Sequence, residues 1–131
     1  METAIPDSAW PTWHYLPTIE YGEKVQSYGG GAGLRVVYYN NLRSTGAIQY
    51  RFLATVYAGD TMFPLFMVAA EQSDLLALRG EWALGVFRPD GHQTIDISED
   101  YGNWYSFHAA ALLLIDKEFP SQGSTPPETL S

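Results

Sequence analysis

The sequence predicts an α+β fold with a mostly antiparallel sheet of about five strands, a typical sheet size. Its β-patterned segments are joined by short, turn-rich connections typical of hairpins, whereas parallel strands would need long crossovers. The last apolar segment instead has helical periodicity. A length of 131 residues fits one domain. We therefore expect a single domain over residues 1–119, with a long C-terminal helix packed on one face of the sheet.

Residues 1–33 are predicted to form an extended arm that is rich in aromatic residues and glycine. Prolines around Trp10 and Trp13 oppose a helix there, because proline biases the residue before it toward extended backbone. Residues 18–28 are compatible with either a strand or a short helix. The glycine-rich run 29–33 precedes a strand and is followed by neither a helix nor a lysine. It therefore favours a flexible turn over a phosphate-binding loop.

Three strands are predicted in the middle of the chain. Residues 34–39 and 47–57 flank the turn-forming segment 40–46, which indicates a hairpin with a long loop. The second of these strands alternates with a period of two, and its expected apolar face carries Ile48, Tyr50, Phe52, Ala54 and Val56. Residues 62–70 are apolar on both faces, which predicts a central strand. Pro64 complicates this prediction, because proline is tolerated mainly at strand starts, edges or bulges.

Two segments predict helices. Residues 73–79 form a short helix, because Ser73 is a good N-terminal cap and Gly80 a good C-terminal cap. Residues 104–119 predict a helix of about four turns that Pro120 ends. Its apolar stripe carries Trp104, Phe107, His108, Ala111, Leu114 and Ile115. Three further apolar residues widen this stripe: Ala110, Leu112 and Leu113. The helix is therefore expected to pack deep against the sheet or to meet a second surface or subunit.

A second hairpin is predicted between the two helices. Residues 82–88 have β character, and the turn 89–91 follows them, with a proline that presets φ and a glycine that supplies a positive φ. In the second strand of this hairpin we expect Ile95 and Ile97 to face inward. The opposite face of the strand is expected to carry His92, Thr94, Asp96 and Ser98.

Composition and charge restrict the function classes. Fifteen acidic and seven basic residues give a net charge of −8, and the arginines are dispersed, so we expect no nucleic acid partner. The absence of cysteine excludes a disulfide framework and a thiolate nucleophile. The longest apolar run, 109–115, is far below the roughly 20 residues of a membrane span, and the N-terminal segment lacks the pattern of an export signal. We expect a cytoplasmic protein that ends in a disordered tail over 120–131.

Three polar residues are the candidates for chemistry. His92 and Asp96 share the predicted outer face of one strand, where they could orient a general base or bind a cation. Four residues of strand separate them by about 13 Å, which is too far to hold one ion without a bend. A solvated hairpin face explains the same residues more simply. Glu71 joins a strand to the short helix, where a helix cap is the simpler interpretation. We expect no metal and no cofactor.

The sequence contains neither the G-x-S-x-G motif of serine hydrolases nor the H-E-x-x-H motif of zinc proteases. This absence and the acidic charge favour a small protein-interaction module, such as an inhibitor, immunity, accessory or regulatory subunit, with no catalytic activity of its own. Its partner would be a protein, and the charge favours a basic one. Aromatic residues are enriched in interface hot spots, and the candidate contact residues are Trp10, Trp13, Tyr39 and Tyr57. Two alternatives stay open. One is a small ligand- or metal-binding enzyme domain with a pocket between sheet and helix, and the other is a homo-oligomeric structural subunit that associates through the C-terminal helix.

Overall fold

Within residues 2–4, 16–29, 33–59, 61 and 63–120, which the computed structural model describes, the protein has an α+β fold of seven strands and two helices. The strands are β1 (Glu2–Ala4), β2 (Ile19–Gly29), β3 (Leu34–Ser44), β4 (Gln49–Ala58), β5 (Phe66–Gln72), β6 (Ala83–Arg88) and β7 (Gly91–Asp96). The helices are α1 (Asp74–Arg79) and α2 (Trp104–Glu118).

The sheet is a simple meander. Its strand order follows the order of the chain from β1 to β7, and every neighbouring pair is antiparallel. The predicted α+β fold and antiparallel sheet are therefore confirmed. The expected number of about five strands was too low, because the described residues contain six longer strands and the three-residue β1. Short connections explain why β3 lies beside β4 and β6 beside β7, whereas β5 and β6 are neighbours although α1 connects them.

Residues 18–28, which the sequence left compatible with either a strand or a short helix, lie in a strand from Ile19 onward. β2 pairs with β3 from Ile19 opposite Ser44 to Gly29 opposite Arg35, with three register shifts along the way. Part of the predicted arm is thus a full strand of the sheet. Trp10 and Trp13 lie outside the described residues. So do most of the glycine run, where a turn was predicted, and all of the predicted tail after residue 120.

β3 and β4 differ from their prediction in extent and in facing. β3 continues through the predicted loop as far as Ser44. In β4 a bulge lies between Tyr50 and Phe52, so these two side chains belong to cores on opposite faces of the sheet. The expected single apolar face over residues 48–56 is therefore wrong. A bulge adds one residue to one strand and so moves the following side chains to the other face.

Both faces of the sheet are buried. The face that α2 covers, called the helix face below, carries a core made by Val36, Tyr38, Phe52, Val56, Val68 and Val86 with Phe107, Ala111 and Ile115 of the helix. The other face, called the opposite face, carries a second core made by Val37, Tyr39, Leu53, Tyr57, Met67 and Phe87. Strands that are buried on both sides need apolar residues at successive positions, which is the pattern of β3, β4 and β5.

Both helices begin where the sequence predicts. Ser73 caps α1, and Gly80 ends it with a φ of 67°. Asn103 caps α2 by accepting hydrogen bonds from the first turn, and the predicted stripe of α2 faces the sheet. Arg88 of β6 donates two hydrogen bonds to Glu118, 2.9 and 3.2 Å long, which fasten the last turn of α2 to the sheet. Neither helix in the described residues has the length and apolar character needed to cross a bilayer.

The second hairpin forms as predicted from β6 and β7, but the side chains of β7 do not face the sides of the sheet that the sequence predicts. Ile95 and Ile97 were expected to point inward and are instead 39% and 49% exposed. His92 and Thr94 point to the opposite face, where they contact a buried carboxylate. β7 is the edge strand of the sheet, and a register shift in its pairing with β6 displaces the residues that follow Thr94.

Candidate functional site

Among the residues that the structure describes, Glu71 is the one buried residue that carries a carboxylate. This residue ends the buried part of β5, is only 5% exposed and points to the opposite face, on the same side as Met67 and Ala69. His92 Nε2 donates to both carboxylate oxygens, at 2.8 Å from Oε1 and 3.0 Å from Oε2. Thr94 Oγ1 donates to Oε2 at 2.7 Å. A buried carboxylate is thus satisfied by two side chains that lie 21 and 23 residues away in the chain.

Gly85 makes this contact possible. Gly85 lies on β6, the strand between β5, which carries Glu71, and β7, which carries Thr94. In the sheet Gly85 pairs directly with Thr94. A Cβ atom at Gly85 would lie 2.2 Å from Glu71 Oε1 and 2.6 Å from Cδ. The carboxylate therefore reaches across β6 through the space that a side chain would fill. We call Glu71, Gly85, His92 and Thr94 the Glu71 cluster.

The Glu71 cluster joins side chains of β5 and β7 by hydrogen bonds across β6. Both carboxylate oxygens accept hydrogen bonds from protein donors, as a buried polar group requires. The His92 ring packs on Phe87, with the ring centroids 4.5 Å apart. His92 also lines a surface cavity of about 220 Å³ together with Arg88, and this is the feature that keeps a ligand-binding role open. No group of three or more potential metal ligands occurs among the described residues.

Asp96 does not belong to this cluster, although the sequence placed it on the same face as His92. The register shift at the β6–β7 pairing puts Asp96 opposite Leu84, a residue of the helix-face core. There it accepts hydrogen bonds from the Tyr101 hydroxyl, from the Ser98 amide at 3.1 Å and from the Ser98 hydroxyl at 2.9 Å. The expected shared face was wrong because one extra residue in a strand reverses its facing.

Tyr101 and Asp96 form a pH-sensitive contact. The hydrogen bond from Tyr101 and those from Ser98 lower the pKa of Asp96 below its ordinary value of 3.8. Burial, together with the bond to Asp96, raises the pKa of Tyr101 from 10.0 to about 12. The lowered carboxyl pKa stabilises the fold above pH 3.8, and this contribution is lost as the pH falls through the folded-state value. The raised tyrosine pKa stabilises the fold below pH 10, and this contribution is lost as the pH rises toward about 12.

Tyr101→Phe tests this contact. We expect the variant to melt a few degrees below the wild type at pH 7, and we expect the difference to shrink as Asp96 becomes protonated below pH 3.8. Melting curves of both proteins between pH 2.5 and 8, followed by circular dichroism, measure this. A difference in melting temperature that stays constant down to pH 2.5 would show that the hydroxyl contributes by packing and not through the carboxylate.

The other histidines stand apart from the Glu71 cluster. His108 of α2 stacks on the Trp104 ring, with centroids 5.4 Å apart and an interplanar angle of 18°, and its ring lies 5.0 Å from that of Tyr38. It is half-buried at the edge of the helix-face core, as the sequence led us to expect. His14 lies outside the described residues.

The candidate contact aromatics are not exposed where the structure describes them. Tyr39 and Tyr57 are fully buried in the opposite-face core, because β3 and β4 lie in the middle of a sheet that is covered on both sides. Trp10 and Trp13 lie outside the described residues. The structure instead exposes large side chains on the far side of the C-terminal helix, where the sequence left a second surface or subunit as one expectation. Tyr105 is 82% exposed and Leu113 is 73% exposed, on the side of α2 turned away from the sheet.

The exposed residues of α2 lie in one row. Tyr105, Ala109, Leu112 and Leu113 are spaced by four, three and one positions, which places them on a single face of a helix, and all four are exposed. We call them the α2 outer stripe. The signal was present in the sequence, since Leu112 and Leu113 widened the apolar side of the helix beyond what one sheet contact needs. No protein family, curated protein or solved structure matches the chain.

Proposed function

We propose that this protein is a non-catalytic module that binds another protein through the α2 outer stripe. The observation that carries the proposal is the exposure of Tyr105 and Leu113 on a helix whose inner residues Phe107 and Ala111 are completely buried. An exposed apolar row gains free energy when a partner covers it, at roughly 25 cal/mol for each Å² of apolar area removed from water.

The packing of α2 against the sheet makes the α2 outer stripe a suitable surface for binding a partner protein. The helix is fixed by Phe107, Ala111 and Ile115 in the core and by the bidentate contact between Arg88 and Glu118 at its end. A surface that is already rigid loses little conformational freedom on binding. Tyrosine is also among the residues that contribute most to protein interfaces. The stripe therefore combines a large aromatic anchor with a preorganised backbone.

The charge of the chain supports a basic partner. The net charge is −8, and exposed acids lie near both ends of α2: Glu99 and Asp100 before the helix, and Asp116 within its last turn. Two copies of the chain would bring these acids together if they associated through the helix, whereas a partner with a basic rim would pair with them. Association with such a partner is expected to slow at high salt.

A matched pair of double variants tests the proposal. Tyr105→Ser with Leu113→Ser removes the anchors of the stripe without changing the charge. Leu75→Ser with Leu78→Ser removes two leucines of α1 that are 60% and 86% exposed. The tagged proteins are purified from the native host, the co-purifying protein is identified by mass spectrometry, and its affinity is then measured with purified components. We expect the α2 variant to lose at least about tenfold in affinity and the α1 variant to bind as the wild type does.

Three results would count against the proposal. Equal affinity of the wild type and the α2 variant would place the interface elsewhere. Self-association of the pure protein in sedimentation runs, abolished by the α2 substitutions, would support the homo-oligomeric alternative. Thermal stabilisation by a metal ion or metabolite that is lost in His92→Ala would favour the ligand-binding alternative, since His92 lines a cavity.

A further inference from the structure

The sheet splits between β3 and β4. Their ladder runs from Leu34 opposite Ala58 and ends at Tyr39 opposite Leu53. Beyond this point β3 still pairs with β2, through Asn40, and β4 still pairs with β5, through Tyr50. The two strands thus stay in the sheet on their outer sides while the pairing between them stops, and this opens a cleft.

The cleft is large enough for a small molecule. Its volume is about 360 Å³, which is within the range of ligand sites at its lower end. Residues of both diverging strands and of the segment before β6 line it: Asn40, Asn41, Leu42, Tyr50, Arg51, Phe52 and Trp82. The lining thus combines a cation and two carboxamides with three aromatic rings.

Arg51 is the group that gives the cleft its chemistry. Its guanidinium carbon lies 5.8 Å from the centroid of the Phe52 ring and 5.9 Å from that of Trp82. In the part of the chain that the structure describes, no carboxylate lies within ion-pair distance of Arg51, although acids outnumber bases by more than two to one. A guanidinium presents a planar set of donors that matches a carboxylate in a bidentate arrangement.

The walls of the cleft are held in place by neighbouring backbone. Trp82 packs against Gly102 so closely that a Cβ there would lie 2.5 Å from Trp82 Cδ1. Asn41 adopts a left-handed conformation with a φ of 51°, and its side chain donates to Glu23 at 2.9 Å. Asparagine is one of the few non-glycine residues that adopt this conformation readily.

We infer that this cleft binds a small organic carboxylate with a flat apolar body. Arg51 pairs with the carboxylate, the ring of Trp82 packs on the body, and the carboxamide of Asn40 supplies a further polar contact. This site is separate in its chemistry from the α2 outer stripe, which is apolar and takes a protein.

Benzoate is the probe, and amide NMR spectra of the full chain are the readout. We expect benzoate to shift the indole signal of Trp82 and the amides of residues 40–42 and 50–52 in a saturable way. Acetate lacks the ring and benzamide lacks the charge, so both are expected to bind more weakly. Arg51→Gln is expected to weaken benzoate binding at least about tenfold, because the variant lacks the charged donors that pair with the carboxylate.

Arg43→Gln is the control. Arg43 also lies on a strand and also packs on an aromatic ring, with its guanidinium carbon 4.7 Å from the centroid of Tyr21, but it does not line the cleft. We expect this variant to bind benzoate within about twofold of the wild type. The inference is overturned if benzoate leaves the cleft signals unchanged, if benzamide binds equally well, or if both arginine variants weaken binding to the same extent. Melting curves of the variants show that each is folded.

Discussion

Phe107→Ala is expected to lower the free energy of unfolding by about 3–5 kcal/mol, the range measured when a buried phenylalanine is truncated. The Phe107 side chain is completely buried at the centre of the helix-face core. Its ring lies 5.4 Å from the Phe52 ring, 6.1 Å from that of Trp104 and 6.4 Å from that of Tyr38. Truncation leaves a cavity and removes these aromatic contacts, of which those with Phe52 and Tyr38 join α2 to the sheet. Urea denaturation followed by circular dichroism measures the loss.

Tyr105→Ala is the matched control for this prediction, since it removes an aromatic ring two positions away in the same helix. Tyr105 is 82% exposed, so its loss is expected to change the free energy of unfolding by no more than about 0.5 kcal/mol. Comparable losses in the two variants would mean that α2 is not packed on the sheet as described. The pair also separates the stability of the helix from its proposed role in binding.

Gly85→Ala is expected to cost about 3 kcal/mol, an unusually large effect for the addition of one methyl group. The added Cβ would lie 2.2 Å from Glu71 Oε1, so the carboxylate must move. Overpacking costs about 1–3 kcal/mol, and the displaced carboxylate would also lose hydrogen bonds from His92 and Thr94 while staying buried. The midpoint of urea denaturation measures the effect.

A double-mutant cycle assigns this cost to the carboxylate. Glu71→Ala destabilises the protein by itself, but it also removes the atoms that the new methyl group would meet. In that background Gly85→Ala is therefore expected to cost less than about 1 kcal/mol, which gives a coupling energy within the range found for residues in contact. If Gly85→Ala costs the same in both backgrounds, the glycine is required by the backbone of β6 and not by Glu71.

The elements that could be predicted from the sequence are those specified by neighbouring residues. The caps Ser73 and Gly80, the turn at Pro89 and the periodicity of α2 each act within one or two helical turns or one hairpin. Their signals are complete in a short stretch of chain, so the α+β class and the order of elements from β3 onward followed from them, whereas β1 and β2 did not. A glycine inside the β6 segment also carried a signal for close approach, although the sequence reasoning did not use it.

The facing of the strands and the composition of the sites depended on contacts between distant segments. Bulges in β4 and β7 move Tyr50 and Asp96 to faces that alternation does not predict, because one inserted residue reverses a pattern with a period of two. Glu71 of β5 meets His92 of β7 only because β6 pairs with both strands in the observed registers. The cleft beside Arg51 exists because the β3–β4 ladder ends, which depends on how the two strands bend relative to each other. Local chemistry therefore determined the two helices and most of the strands, and tertiary pairing determined the strand at residues 19–29 and which side chains meet.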